Sequence, residues 1–181
     1  RTILAFYDPG EGRPVERLTI SRYGMGGLFK PAWEPERQPD QWRALADAPH
    51  ARDHFHAVVI DGRIYAAGGR RTSHDTGETM SLTIPEVDVY DIASGRWSTL
   101  PAPLPTQRAG APAVAMDGRL VVLGGESPAQ VPGHGEVEAY DPATQRWSTL
   151  PPLPRGRHGT QATMLDGVLY VAAGSGDRGG G

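Results

Sequence analysis

The stretch VIDGRIYAAGG, residues 59 to 69, consists of two short apolar runs joined by Asp61-Gly62 and ended by a glycine pair. The chain repeats this pattern as AMDGRLVVLGG at 115 to 125 and as MLDGVLYVAAG at 164 to 174. An Asp-Gly step between apolar and β-branched residues supplies the positive φ angles of a two-residue primed turn, so each copy predicts a tight β-hairpin. The same hairpin is therefore predicted three times in 181 residues.

A second motif follows the first two hairpins, so each hairpin is part of a longer repeat. EVDVYDIASGRWSTLP begins at Glu86 and EVEAYDPATQRWSTLP begins at Glu136, each with a Tyr and a Trp seven residues apart. An arginine stands ten residues before the turn glycine of each hairpin, at Arg52, Arg108 and Arg157, which gives units of 56 and 49 residues. A period of about 50 residues that holds four short strands predicts a blade of a β-propeller.

These motifs make the chain resemble the kelch repeat. The shared features are the glycine pair, the spaced Tyr and Trp, and the arginine before the first strand. The resemblance covers residues 42 to 174 and also ILAFYD at 3 to 8, whose Tyr7-Asp8 matches Tyr90-Asp91. It implies an all-β fold, a kelch-type β-propeller built from four-stranded antiparallel blades.

The glycine pairs are predicted to govern how neighbouring blades meet. Gly68-Gly69 and Gly124-Gly125 leave room for a neighbouring backbone or a large ring, and Trp97 and Trp147 are the rings expected there. In the third unit Ala173 replaces the first glycine, and this is expected to weaken that unit slightly.

The resemblance divides the chain into whole and partial blades. The predicted segments are an outer strand (1–8), an insertion loop (9–41), an outer strand with an inter-blade connection (42–51), two complete blades (52–107 and 108–156), and an inner hairpin with a glycine-rich end (157–181). About three blades' worth of strands is too few to close a ring, which takes roughly four to eight. Two arrangements stay open, a part of a longer propeller and a homodimer whose two copies complete a six-bladed ring.

Composition excludes several classes of function. A net charge of -3 and a pI near 6.1 give no basic surface for nucleic acid or an anionic membrane, and no apolar run is long enough to span a bilayer. The absence of cysteine excludes disulfides, thiolate metal sites and a cysteine nucleophile. A soluble protein without a cofactor is expected, but its compartment stays open because the chain begins at Arg1 and a removed signal peptide leaves no trace. With Lys30 as the single lysine, the composition favours a GC-rich bacterial genome.

Two loops are candidates for contact with a protein or peptide partner, because sites in propellers form from loops carried on a rigid frame. The 9–41 insertion contains one predicted strand, ERLTIS, and suits a lid or a partner-binding arm. The polar 70–83 loop is longer than the matching loop of the next unit. The candidate contact residues are Tyr23, Phe29 and Trp33 in the first loop and Arg70, Arg71 and His74 in the second. The alternatives are that the insertion is an excursion without a binding role or part of an irregular blade, and that the 70–83 loop is only solvated.

HARDHFH, residues 50 to 56, is the densest histidine cluster. His54 and His56 are predicted two apart on one strand and therefore on one face, so with Asp53 or His74 they are candidate ligands for a divalent metal. The alternative is that these histidines are satisfied within the fold or solvated, and no metal is assigned.

The repeated arginines have two interpretations. The resemblance places the start of each first strand near the mouth of the channel, where some kelch proteins use arginine to hold acidic peptides or sugar acids. Arg52, Arg108 and Arg157 are thus candidates for binding a carboxylate, which suits a planar guanidinium group. Because they recur with the repeat, the alternative is a hydrogen bond to neighbouring carbonyls that closes each blade. His54 and His158 occur in single units and are the more site-specific ligand candidates.

The sequence has few signs of catalysis, since it contains no G-x-S-x-G elbow, no P-loop and no H-E-x-x-H motif. Kelch-like copper oxidases depend on a cysteine linked to a tyrosine, so the resemblance does not extend to them. Two functions stay open. One is a binding module that presents blade loops to a protein or peptide and has no chemistry of its own. The other is a metal-assisted or carbohydrate-active enzyme, for example of the sialic acid mutarotase type, with acid-base side chains and an anion-holding arginine at the channel mouth.

Overall fold

The computed structural model describes residues 5–8, 18–20, 29–31, 41–71 and 82–179, and it describes side chains from 44 to 71 and from 82 to 179. The chain divides into two compact units, one at Ile3–Leu45 and one made of Arg1–Thr2 and Ala46–Gly181. Every regular element in the described part of the chain is a β-strand, which confirms the all-β class. No described segment forms a helix with the length and apolarity needed to cross a membrane.

The unit at Ile3–Leu45 contains two antiparallel strand pairs. Its strands are β1 (Ala5–Asp8), β2 (Leu18–Ile20), β3 (Phe29–Pro31) and β4 (Gln41–Ala44). β1 pairs with β4 and sets Tyr7 opposite Trp42 across the insertion. The ERLTIS segment supplies β2, and its partner β3 is a strand that the sequence pattern did not predict.

The larger unit contains two four-stranded antiparallel sheets followed by a two-stranded one. Its strands are β5 (His56–Ile60), β6 (Arg63–Ala67), β7 (Val87–Asp91), β8 (Arg96–Thr99), β9 (Ala113–Met116), β10 (Arg119–Leu123), β11 (Val137–Asp141), β12 (Arg146–Leu150), β13 (Gln161–Leu165) and β14 (Val168–Ala172). The sheets are ordered β5-β6-β7-β8, β9-β10-β11-β12 and β13-β14, so hydrogen-bonded neighbours are consecutive along the chain. This is the predicted blade topology.

The three inner hairpins turn as the Asp-Gly steps predict. Both turn residues have positive φ, with 47° and 72° at Asp61-Gly62, 51° and 71° at Asp117-Gly118, and 50° and 76° at Asp166-Gly167. Two successive positive φ angles define the type I′ turn, whose twist matches that of the flanking strands. The local sequence therefore sets the register of each hairpin.

The tyrosine and tryptophan of each outer strand pair lie directly opposite each other. Tyr90 pairs with Trp97 and Tyr140 with Trp147, at ring-centroid distances of 5.2 and 5.3 Å. Each indole N–H donates to a carbonyl of the preceding connection, from Trp97 to Ala46 at 2.8 Å and from Trp147 to Ala102 at 3.1 Å. The tryptophans thus fasten each blade to the segment that leads into it.

The glycine pairs admit a neighbouring backbone and not a tryptophan ring. A Cβ on Gly68 would lie 2.7 Å from the carbonyl oxygen of Arg108, and a Cβ on Gly124 would overlap the carbonyl of Arg157. The following glycine donates to the same carbonyl in both places, at 2.9 and 2.8 Å. The expectation that the tryptophan rings fill this space is therefore wrong. The first-strand segment of the next blade comes too close to leave room for a ring.

Two hydrophobic clusters join successive sheets. The first includes Tyr65, Val87, Leu120 and Tyr140 from the two four-stranded sheets. The second centres on β10 and β11 and extends to the partly buried residues of β13 and β14. β7 and β11 are buried over their first four residues, as expected of strands covered on both faces, whereas residues alternate between exposed and half-buried along β14.

Candidate functional site

Arg52 and Arg108 lie inside the blades with side chains that are 0% exposed. Arg52 donates to Asp88 at 2.7 Å, and Arg108 donates to Glu138 at 2.6 Å. Each guanidinium group also donates to a backbone carbonyl of its own blade, at 2.8 and 3.0 Å. Both guanidinium groups are thus bonded within their own blades, as the alternative of a blade-closing hydrogen bond predicts.

Asp88 is the acceptor at the centre of the first of these networks. Its carboxylate accepts from the backbone and ring of His50 at 3.2 and 2.9 Å and from the Thr99 hydroxyl at 2.8 Å, besides Arg52. Burial alone would raise the pKa of Asp88, but the hydrogen bonds from His50 and Thr99 and the charge of Arg52 outweigh it and hold the pKa below its ordinary 3.8. Asp88 therefore stays ionised.

Arg157 differs from its two counterparts. It is half-buried, and its guanidinium donates to the carbonyl of Ala173 at 2.5 Å. This matches the bond from Arg52 to Gly68, but no carboxylate in the described part of the chain forms an ion pair with Arg157. The third unit thus has the arginine of the repeat without its acid.

His54 does not share a strand with His56, so the expectation that the two rings share a strand face is wrong. β5 begins at His56, and His54 precedes it with φ at 51°. Gly110 and Gly159 occupy the equivalent positions, with φ at 60° and 59°. The backbone turns left-handed there in all three units, which breaks the two-residue alternation of a strand. A non-glycine residue at such a position is uncommon and marks a candidate site.

Five polar side chains from three successive units come together and are called here the cross-blade cluster. Its members are Asp53, His54, Arg70, Glu126 and His158. Arg70 donates to Glu126 at 3.1 Å, and the other oxygen of Glu126 lies 3.5 Å from Nδ1 of His158. Each residue lies just before the first strand of a unit or just after its second strand, and backbone bridges hold these segments together. Three of the predicted candidates, His54, Arg70 and His158, thus share one site.

The hydrogen-bond partners indicate which ring nitrogens of the two histidines donate and which accept. Nδ1 of His54 donates to Asp53 at 2.6 Å, and its Nε2 accepts from Arg70 at 3.2 Å, which defines a neutral imidazole. Nε2 of His158 donates to the carbonyl of Asp177 at 2.7 Å. The side chains of His54 and Asp53 are 54% and 39% exposed, whereas those of Arg70 and Glu126 are 12% and 6% exposed, so a ligand can reach His54 and Asp53.

The charge of the cluster restricts what it can hold. Asp53 and Glu126 flank one arginine, Arg70, whose guanidinium group lies within ion-pair distance of both carboxylates. A carboxylate ligand would be repelled by these two acids, whereas a hydroxyl or amine ligand could donate to the partly exposed Asp53 carboxylate.

The histidine cluster does not form a metal site in the part of the chain that the structure describes. His56 Nδ1 bonds the carbonyl of Ala111 at 3.0 Å, and no group of three or more His, Cys, Asp or Glu side chains is arranged to hold a metal ion among the described residues. His74 lies outside the described residues.

A cleft of about 500 Å³ opens beside the neck of the 70–83 loop. Its lining residues are Pro49, His50, Ala51, Arg71, Leu82, Thr83, Ile84, Pro85 and Glu86. The neck is closed by a bond from the Arg71 N–H to the Leu82 carbonyl at 3.0 Å and by a bridge between Arg70 and Thr83. Residues 72 to 81 of this loop lie outside the described residues, as do Tyr23 and Trp33 of the insertion, where only the backbone of Phe29 is described.

A family model described as the KLHDC2/KLHL20/DRC7 Kelch-repeats domain matches residues 33–174. The chain belongs to the kelch-repeat family. It is 39% identical to mouse Kelch-like protein 40 over 85 residues, which are 47% of this chain and 12% of that protein. It is 30% identical to Kelch-like protein terF of Aspergillus terreus over 168 residues, 91% of this chain and 35% of that protein. The chain thus spans well under half the length of these relatives.

A solved structure supports the same fold. The structure of YjhT aligns with a TM-score of 0.59 and 22% sequence identity, over 70% of this chain and 45% of that chain. At this identity the likeness shows the kelch propeller fold.

Sequence reasoning missed two parts of the site. Glu126 was not predicted, although it directly follows a glycine pair, as Arg70 does in the first unit. The second is a relay in which Ser127 bonds Nε2 of His134 at 2.7 Å and Nδ1 of His134 bonds Glu136 at 3.1 Å. Ser127 and His134 are 5% and 4% exposed, and their bonds connect the two ends of the 126–136 loop.

Proposed function

We propose that this kelch propeller segment is a binding module that holds a protein or peptide partner in the cleft beside the 70–83 loop. The cleft carries the proposal, because it combines an exposed arginine with apolar side chains and prolines in a concave surface. The proposal assigns the chain no chemistry of its own.

The form of the cleft favours an extended acidic peptide. Arg71 is exposed and offers a planar guanidinium group for a carboxylate, while Leu82, Pro49 and Pro85 offer apolar contact. Since the neck of the loop is fixed by backbone hydrogen bonds, these groups are held in place before a partner arrives. Such preorganisation reduces the entropy lost on binding.

Peptide display on the purified chain tests this proposal. We expect selected peptides to combine Asp or Glu with apolar residues, and we expect Arg71→Glu to weaken their binding by at least about tenfold in calorimetry, the equivalent of one lost charge-assisted bond. Leu82→Ala should weaken it as well, and Arg96→Glu, an exposed charge change on β8, should leave it unchanged. Peptides that bind all variants equally, or a failure to enrich any peptide, would refute a partner site in the cleft.

The cross-blade cluster supports a second candidate, a carbohydrate-active site of the mutarotase type. The exposed imidazole of His54 and the partly exposed carboxylate of Asp53 beside it supply an acid-base pair for anomer exchange. Anomer exchange of glucose and of N-acetylneuraminic acid, followed by NMR with and without the protein, tests this candidate. It predicts acceleration that His54→Gln abolishes, and rates equal to buffer would exclude it.

A second copy of the chain is the remaining partner proposal. A six-bladed ring shared by two copies predicts a limiting mass of twice 19.4 kDa at high concentration. A mass that stays at 19.4 kDa, or that grows beyond the dimer, would exclude this closed ring.

A further inference from the structure

A pocket of about 400 Å³ lies between the first two blades, at the end of β6 that points away from the 70–83 loop. One wall is the face of the first sheet that carries Tyr65. The other wall is the outer strand pair of the second blade with its turn, through Tyr140, Pro142 and Gln145. This inter-blade pocket shares no lining residue with the cleft or with the cross-blade cluster.

Two buried tyrosines line the inter-blade pocket with hydroxyl groups that lack a protein partner. Tyr65 and Tyr140 are each 2% exposed, and neither hydroxyl forms a hydrogen bond within the described part of the chain. Because neither oxygen is sealed from solvent, both open onto the pocket. Buried polar groups normally have a partner, so two such hydroxyls indicate a place for a molecule that accepts hydrogen bonds.

The protonation state of Tyr140 fixes its role as a donor. Burial raises the pKa of Tyr140, and the neighbouring Tyr65 and Asp141 raise it further. The phenol therefore keeps its proton at neutral pH and can donate it to a ligand oxygen.

A row of three charged residues crosses the first sheet beside these hydroxyls. Arg63 lies opposite Asp91, and Asp91 lies opposite Arg96, so the three share the face that forms the pocket wall. Asp91 accepts from the backbone and the hydroxyl of Ser94 at 2.8 and 2.7 Å, and it lies 3.6 Å from Nε of Arg63.

This row carries one positive charge in excess. The hydrogen bonds from Ser94 hold the pKa of Asp91 below its ordinary 3.8, so its carboxylate is ionised and offsets Arg63. Arg96 is exposed and forms no ion pair with another residue that the structure describes. An anion in the pocket would therefore meet a guanidinium group that has no acid of its own.

We infer that the inter-blade pocket binds a small organic carboxylate, whose oxygens accept from the two tyrosine hydroxyls and whose charge is balanced by Arg96. The volume of the pocket is within the range of small-molecule sites. Val89, Leu100 and Pro101 line it as well and offer apolar contact for the body of the ligand. A cation would be repelled by the excess charge, and a neutral molecule would leave that charge unused.

Benzoate, benzamide and formate are the probes. Benzamide keeps the body of benzoate without its charge, and formate keeps the charge without the body. We expect benzoate to bind the intact chain saturably, with a dissociation constant of about 1 mM or below. It should shift the amide signals of Ser94, Ser98 and Gln145 in ¹H–¹⁵N spectra. Benzamide and formate should each bind at least about tenfold more weakly, since each lacks one of the two contributions.

Hexanoate and hexanamide repeat the comparison with an aliphatic body. If each carboxylate binds no better than its amide, the excess charge does not select the ligand. If formate binds as well as benzoate, the pocket holds only an anion. Either result, signals that shift outside the pocket, or no saturation by either organic carboxylate at about 10 mM would overturn the inference.

Two pairs of matched variants locate the contacts. Tyr140→Phe keeps the ring and removes the donor, and it should weaken benzoate binding by about fivefold. Tyr90→Phe is its control, because Tyr90 has the equivalent position in the first unit and does not line the pocket. Arg96→Gln should abolish the preference for benzoate over benzamide, whereas Arg146→Gln, the equivalent change in the second unit, should keep it. Equal effects within either pair would also overturn the inference.

Discussion

Each complete blade buries an arginine that is paired with an acid from its third strand. The Arg108 guanidinium is fully buried and reaches Glu138, the Thr106 carbonyl and the Val122 carbonyl at 2.6 to 3.0 Å. We expect Arg108→Met to lower the free energy of unfolding by about 3–5 kcal/mol, because it leaves the Glu138 carboxylate buried without a counter-charge. Urea denaturation measures the loss, with Arg96→Met on the exposed face of β8 as the control.

A double variant separates the contribution of the ion pair from that of the carbonyl bonds. Arg108→Met with Glu138→Leu removes both charges and should recover much of the stability lost in the single variant, because a buried ion pair contributes little more than a well-packed apolar pair. If the double variant is no more stable than Arg108→Met, the carbonyl bonds of the guanidinium, and not the ion pair, hold the blade together.

Asp88 makes the first blade sensitive to acid. Its pKa is lowered in the folded state because the hydrogen bonds from His50 and Thr99 and the charge of Arg52 outweigh the effect of burial. A lowered folded pKa means that its contribution is complete above the ordinary 3.8 and is lost as pH falls through the folded value. We expect Asp88→Asn to be less stable than wild type by about 3 kcal/mol at pH 7, with a gap that narrows below pH 4.

Urea denaturation from pH 7 to pH 2 checks this expectation. Asp117→Asn, in an exposed turn, is the matched control and should follow the wild-type profile. A gap between wild type and Asp88→Asn that stays constant over the whole range would mean that Asp88 does not titrate with unfolding.

His54 shows what sequence can and cannot predict about single residues. Its equivalents Gly110 and Gly159 were visible in the alignment of the units, and glycine at two of three positions signals a left-handed backbone. The expectation that His54 lies on a strand overlooked this signal. Its contact with Arg70 has no sequence signal, because the fold brings a residue that follows β6 back beside one that precedes β5, whereas Asp53 is its neighbour along the chain.

At the level of elements, prediction succeeded where the information is local. The Asp-Gly turns and the Tyr–Trp spacing fix strand pairs through neighbours a few residues apart, and all three hairpins and both complete outer pairs form as expected. The pairing of β1 with β4 was predicted from the repeat alone and forms across the insertion. β3 was missed, because FKP is three residues long, has no alternation and ends in a proline, although a glycine pair stands just before it. Glu126 was missed because its partners come from other units.

The third hairpin carries a strain that the first two avoid. Ala173 has φ at 62°, where Gly68 and Gly124 have 65° and 62°. A side chain in the left-handed region costs about 1–2 kcal/mol, part of which glycine's greater freedom in the unfolded chain offsets. We therefore expect Ala173→Gly to stabilise the β13–β14 hairpin by about 1 kcal/mol, measured by hydrogen exchange of its amides.

Ala172→Gly is the control for this change, since position 172 lies within β14 and glycine weakens strand interiors. The two substitutions should act in opposite directions. If Ala173→Gly also reduces amide protection, the left-handed backbone at 173 is not a source of strain.

For the molecule as a whole, the propeller architecture of the larger unit is carried by successive sheets that share hydrophobic clusters. One cluster packs the two four-stranded sheets against each other, and the other packs the second sheet against β13 and β14. The third sheet has two strands among the described residues. Among the described residues the third sheet therefore presents a partly covered face and an edge without a third strand.

This open edge should make the chain associate. Leu165, Val168 and Tyr170 are 51–58% exposed, and the neighbouring edge of β14 is unpaired among the described residues. An exposed apolar edge strand pairs readily with another copy. By light scattering we expect the mass to rise above 19.4 kDa with concentration. Tyr170→Lys should shift this rise to about tenfold higher concentration, because a charged edge residue opposes strand pairing.

Val131→Lys is the matched control, since Val131 is 58% exposed but lies on the 126–136 loop, outside the β13–β14 hairpin. It should associate like the wild type. If Tyr170→Lys and Val131→Lys associate alike, or if the mass stays at a discrete dimer in every variant, the contact between copies lies elsewhere and the β14 edge is not what drives it.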